Sequence, residues 1–79
     1  MAFTITVEND GVDGTIEVNE QLNDNQVIQV FNDVIEAGGS RQVPCQGTPP
    51  KDFTWIHHAS NLTGGPDSKG DGDTLRVQS

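Results

Sequence analysis

Apolar side chains in this chain recur at every second position, in short runs separated by Gly, Asn, Asp and Pro. Phe3, Ile5 and Val7 alternate with Thr4, Thr6 and Glu8, and Ile16 and Val18 alternate with Thr15, Glu17 and Asn19. Further along, Val43 and Cys45 share a parity with Arg41, Phe53 and Trp55 with His57, and Leu75 with Val77. A period of two places one set of side chains on one face of an extended strand, so each run reads as a half-buried β-strand. The aliphatic composition agrees: eight Val and five Ile stand against three Leu, with seven Thr. β-Branched side chains are stiff at χ1 and suit a pleated sheet better than a helix.

The segments between the runs carry turn chemistry. Asn9-Asp10-Gly11-Val12-Asp13-Gly14 favours a tight reversal, so Phe3–Glu8 and Thr15–Asn19 read as a β-hairpin with Glu8 and Glu17 across from each other on its outer face. Leu22–Asn25 reads as a loop. Gln26–Ala37 admits two readings. Val27, Val30, Phe31 and Val34 fall on one helical face, with Asn25 as an N-cap and Gly38 as the stop. The Val and Ile content and Asn32-Asp33 instead favour a strand Gln26–Phe31, a turn, and a second strand from Val34. Ser40–Gln46 is a strand whose Pro44 lacks an N–H, which places it at a sheet edge. Gly47-Thr48-Pro49-Pro50 is a rigid turn, Asp52–His58 a strand, Ala59–Asp73 a long polar loop, and Thr74–Gln78 a last strand.

These elements make one small β domain over residues 1–79. The expected architecture is all-β: a small antiparallel sandwich or partly open barrel of five to six short strands. The alternative is α+β with one helix at 25–37. Val, Ile, Leu and Phe sum to 19 of 79 residues, about 24%, above the roughly 20% level below which a highly charged chain stays disordered. The expected core is Phe3, Ile5, Val7, Ile16, Val18, Phe31, Val43, Trp55, Leu75 and Val77. So short a chain has a thin core, for which self-association is a natural source of further burial.

Charge is distributed unevenly. The first forty residues carry eight carboxylates and no Lys or Arg, whereas the rest carry four acids and four bases, so the net charge of −8 belongs to the first half. That balance opposes binding to nucleic-acid phosphates and to anionic membrane surfaces. It directs any macromolecular partner with a basic or neutral surface to the first half. No basic segment followed by an apolar stretch marks a signal peptide, and no run reaches the roughly 18 apolar residues of a membrane span. One cysteine, Cys45, excludes an intramolecular disulfide. The chain reads as soluble and intracellular, or as a trimmed product. Asn61-Leu62-Thr63 matches a glycosylation sequon without secretory context.

Few residues suggest chemistry. Asp67, Asp71 and Asp73 alternate with other residues in a Gly-rich stretch, and flexible carboxylate loops suit Ca²⁺. Lys69 and Gln78 stand where an EF-hand loop wants Asp or Asn and then Glu, so the match is poor. His57 and His58 are adjacent on a strand and point to opposite faces, which prevents joint chelation. Cys45, His57 or His58, and Asp52 form a nucleophilic triad on paper only, and Cys45 beside Pro44 reads as a packed structural thiol. With no phosphate-binding glycine loop and little volume for a pocket, the chain is not expected to be an enzyme or to need a cofactor.

The leading functional expectation is a non-enzymatic protein-interaction or assembly module, for an accessory or virion-associated role, that docks a protein partner or itself through an edge strand. Glu8, Glu17 and Trp55 are its candidate contact residues. Two alternatives come from other classes. One is a nucleic-acid mimic that inhibits a basic protein by presenting carboxylates at phosphate-like spacing. The other is a Ca²⁺- or carbohydrate-binding β-module using the 59–73 loop.

Overall fold

The computed structural model describes residues 3–78; Met1, Ala2 and Ser79, which the expected domain range includes, lie outside the described residues. Seven strands follow one another: β1 (Phe3–Asn9), β2 (Gly14–Asn23), β3 (Gln26–Ile35), β4 (Ser40–Cys45), β5 (Lys51–His57), β6 (Leu62–Lys69) and β7 (Thr74–Val77). They form a three-stranded sheet, β4-β1-β7, and a four-stranded sheet, β3-β2-β5-β6. The all-β expectation therefore holds, with two antiparallel-rich sheets in a small sandwich-like arrangement. All pairings are antiparallel except β1 with β7, which run parallel. Among the described residues there is no helix, and none long and apolar enough to cross a membrane.

Each face that alternation predicted to be buried is buried. Of the ten expected core residues, nine lie in the buried cluster and Phe31 is partly buried against it. Ile35, Cys45 and Phe53 complete the cluster. Phe3 and Phe53 meet edge to face across the two sheets, with ring centroids 6.2 Å apart and planes at 72°.

Four sequence expectations are corrected. First, β1 and β2 are not a hairpin: β1 pairs with β4 and β7, whereas β2 pairs with β3 and β5. The Asn9–Gly14 segment instead arches between the sheets. Asn9 is fully buried and organises the arch. Its Nδ2 donates to Val12 O and Ile35 O, both at 2.8 Å, and its Oδ1 accepts from Gly11 N at 2.9 Å. Asp-Gly chemistry specifies a tight reversal but not which sheet the next strand joins.

Second, Gln26–Ile35 is neither a helix nor two strands. It is one strand, paired through Asn32↔Glu17 and Asp33↔Ile16 where a turn was expected. Val18 pairs with Phe31 and Asn19 with Gln29, so Val30 is an extra residue in a β-bulge. Counted through the bulge, Phe31 shares the inward face with Ile28, whereas Val27 and Val34 face outward, so the helix-like spacing mixes residues from both faces of one strand.

Third, residues 59–73 are not one long loop, because β6 occupies Leu62–Lys69 and pairs with β5. Gly64-Gly65-Pro66 gave the stretch a loop-like composition. Gly64 is in fact required by packing: a Cβ there would lie 2.3 Å from Cε2 of the Trp55 indole, which lies on the strand backbone. Gly64→Ala is expected to destabilise the domain by about 1–3 kcal/mol through overpacking, read as a lower urea midpoint. An unchanged midpoint would show that the indole does not rest on β6. Fourth, the described residues form seven strands rather than five to six.

Candidate functional site

A two-sheet sandwich has four edge strands, here β4, β7, β3 and β6. Three carry features that discourage pairing with another chain. Strand β4, the edge expected from Pro44, also carries Arg41; β7 is four residues long and carries Arg76; β6 contains Gly64, Gly65, Pro66 and Lys69. Strand β3 is ten residues long and has no Gly, Pro, Lys or Arg. Its C-terminal end is closed by side chains. Val34 N donates to Asp33 Oδ1 at 2.7 Å, and Val34 O accepts from Arg41 Nη2 at 3.5 Å. Nearer its start, Val27 is 54% exposed, while Ile28, Val30 and Phe31 are half-buried on the inward side or at the bulge. The open part of this edge is therefore Gln26–Asn32, bent at Val30.

The outer face of the same sheet holds a groove of about 250 Å³. Its floor comes from facing pairs on β2 and β5, Asn19 opposite Thr54 and Gln21 opposite Asp52. Val27, opposite Gln21 on β3, closes one side, with Asp24 from the two-residue β2–β3 turn and Pro66 from β6 at its rim. Nothing in the sequence brought these residues together, because the order β3-β2-β5-β6 joins segments more than thirty positions apart.

The expected contact residues are dispersed. Glu8 lies on β1 and Glu17 on β2, in different sheets, so the expected cross-strand pair does not exist and no row of acids runs through them. Glu8 accepts from Arg76 Nη1 at 2.5 Å, and Asp10 lies 3.4 Å from the same nitrogen. Glu17 accepts from Asn19 Nδ2 at 3.1 Å and faces His58 Nε2 at 3.4 Å. Trp55 is only 6% exposed and belongs to the core. Asp67 stands on β6 opposite Phe53. Asp71 Oδ1 accepts from Thr4 N at 3.1 Å and Asp73 Oδ2 from Gly70 N at 2.7 Å. Among the described residues no three His, Cys, Asp or Glu side chains converge as a metal site would need.

The acids respond to these surroundings. The hydrogen bond shared with Asp10, then loss of water, holds Glu8 above the ordinary carboxyl range. The same bond, helped by Arg76, holds Asp10 below it. Glu17 is lowered first by the Asn19 amide and then by His58 and Gln29. Carboxyl titration followed by ¹³C NMR is expected to give Glu8 a midpoint above 4.5, Glu17 below 4.5 and Asp10 below 3.8. What Asp10 and Glu17 add to stability is thus present above their ordinary values and lost as pH falls through their lowered ones. The Glu8 contribution has the opposite sign, being lost as pH rises through its raised value. A Glu8 midpoint below that of Glu17 would refute the shared Glu8–Asp10 bond.

Two buried polar groups escaped the sequence reading, Asn9 and Glu20, while His57 is buried on the face it was expected to share with Phe53 and Trp55. Glu20 accepts from Gln46 N and Gly47 N, both at 2.8 Å, and so ties the turn after β4 to β2. His57 Nε2 donates to Val12 O at 2.8 Å, while its buried Nδ1 has no hydrogen-bond partner among the described residues. Both sit at inward positions of their strands, where alternation alone predicts an apolar residue. Burial, and next the Glu20 charge, push the Cys45 thiol up to about 11, which suppresses the nucleophilic thiolate. No protein-family model matches this chain, and no curated protein or solved structure matches it.

Proposed function

We propose that the protein is a non-enzymatic interaction module that accepts an extended segment of another chain as an added strand along Gln26–Asn32 of β3. The observation that carries this reading is the contrast among the four edges: three have Pro, Gly, cationic residues or little length, and β3 has none of these. An added strand gains main-chain hydrogen bonds along the open stretch and covers the half-buried Ile28, Val30 and Phe31. The acidic first half selects a basic or neutral segment by raising its encounter rate. A second copy of this chain brings the same charge of −8, so self-docking through β3 requires salt to screen the repulsion.

The test uses three nine-residue peptides of alternating β-branched and polar residues, with Lys, Ser or Glu at the polar positions. Only the Lys and Ser peptides are expected to bind, and the Lys peptide to bind faster at low salt. Slowed amide exchange should map to residues 26–32, and Ile28→Pro should abolish it. Light scattering at about 100 μM and at two salt concentrations reads the self-docking form. Exchange protection on β4 or β6, or none on any edge with all three peptides, would refute the reading.

A further inference from the structure

The groove on the outer face of the four-stranded sheet lies beside the β3 edge but is not needed for strand addition. We infer that it binds an alkyl cation: a guanidinium or ammonium group on a slender methylene stem. Two carboxylates, Asp24 and Asp52, stand at the groove, and among the described residues neither is in an ion pair. Lys51 does not neutralise them. It has the opposite strand parity to Asp52, and its Nζ donates to Leu22 O at 3.0 Å. The floor adds acceptors: the side-chain oxygens of Asn19 and Thr54, and Oε1 of Gln21, whose Nε2 is bonded to Asn23 O at 2.5 Å. Val27 and Pro66 supply apolar wall. Acceptors and negative charge against an apolar wall complement a donor-rich cationic head with an apolar stem.

The alternatives fit less well. Sugar recognition in a shallow site leans on an aromatic platform, and no aromatic side chain lines this groove. Its volume of about 250 Å³ falls below the roughly 300–1,000 Å³ of sites for drug-sized ligands, which suits a ligand of few atoms. The cation can arrive free, as a diamine or guanidinoalkane, or as the Arg or Lys side chain of a bound segment.

Agmatine and its uncharged isostere, in which a urea replaces the guanidinium and a hydroxyl the amine, separate charge recognition from shape. Titration of the ¹⁵N-labelled protein with agmatine is expected to move the amides of residues 19, 21, 24, 52 and 54, with a dissociation constant on the order of 1 mM. The isostere should move none of them at the same concentration. Asp52→Asn and Asp24→Asn, both solvent-facing changes, should each weaken agmatine binding about fivefold or more, and Glu8→Gln on the other sheet should leave it unchanged. Equal binding of the isostere, shifts spread over all acidic surfaces, or full binding by both Asn variants would overturn the inference. A second arm replaces agmatine with a nine-residue β-branched peptide bearing one Arg. Groove shifts that disappear when that Arg is changed to citrulline identify a side-chain source. Groove shifts with agmatine alone identify a free ligand. Ile28→Pro keeps the two proposals apart, since it blocks strand addition and should leave agmatine binding intact.

Discussion

Replacing Trp55 with Ala is expected to lower the stability of the domain by about 3–5 kcal/mol, the range for removing a buried indole. Trp55 is the largest side chain of the core and lies over Gly64 of β6, where no Cβ intervenes. The loss therefore has two parts, the transfer of apolar surface and a cavity that neighbouring strands are too rigid to fill. A domain of this length has a total stability of roughly 4–12 kcal/mol, so the variant should be largely or wholly unfolded near 37 °C. Urea denaturation followed by far-ultraviolet circular dichroism reads the effect. A midpoint within experimental error of the parent would show that the indole is not part of the packed interior. Trp55→Phe retains most of the volume and should recover more than half of the loss.

Asn9→Ala is expected to cost about 3 kcal/mol, because it removes two side-chain donors and one acceptor from a fully buried position. It removes the side-chain donor from Ile35 O and from Val12 O, which His57 also serves, and the side-chain acceptor from Gly11 N. The effect should be larger than that of a typical turn mutation, since the arch is what sends the chain from one sheet to the other. Asn9→Asp is a sharper probe. Its carboxylate would face two carbonyl oxygens, so the variant should be less stable than Asn9→Ala at neutral pH and regain stability on acidification, as protonation restores one donor. Stability independent of pH in this variant, relative to the parent, would remove the carbonyl-facing geometry. If Asn9→Ala changed nothing, the arch would be held by its backbone alone.

The two predictions also separate what local pattern can encode from what it cannot. Period-two alternation placed Ile5, Val7, Ile16, Val18, Val43, Leu75 and Val77 correctly, because burying one face of a strand is a local rule that needs no knowledge of the neighbouring strand. It misread β3, where Val30 adds one residue and the alternation changes phase. It misread β6, because a strand under an indole can be nearly bare of side chains, and bareness looks like a loop. Asn9 and His57 stood at positions where alternation asks for an apolar residue, and their partners, Ile35 O and Val12 O, become visible only when the two sheets close on each other.

The candidate surfaces divide in the same way. That the net negative charge belongs to the first half was legible in composition. Which edge is open was not: Pro44 correctly marked β4 as an edge, yet an edge that carries its own deterrent is the less available one. The openness of β3 depends on strand order, and strand order depends on long-range pairing that no short window of sequence contains. The groove depends on it further, since Gln21 and Asp52, or Val27 and Pro66, share a surface only because β2 lies between β3 and β5, with β6 beyond. Burial of alternate side chains and the distribution of charge were thus determined by the sequence itself, through periodicity and composition. Sheet membership, the exposed edge and the grouping of polar side chains into a cavity were decided by tertiary structure, through contacts between residues far apart in the chain.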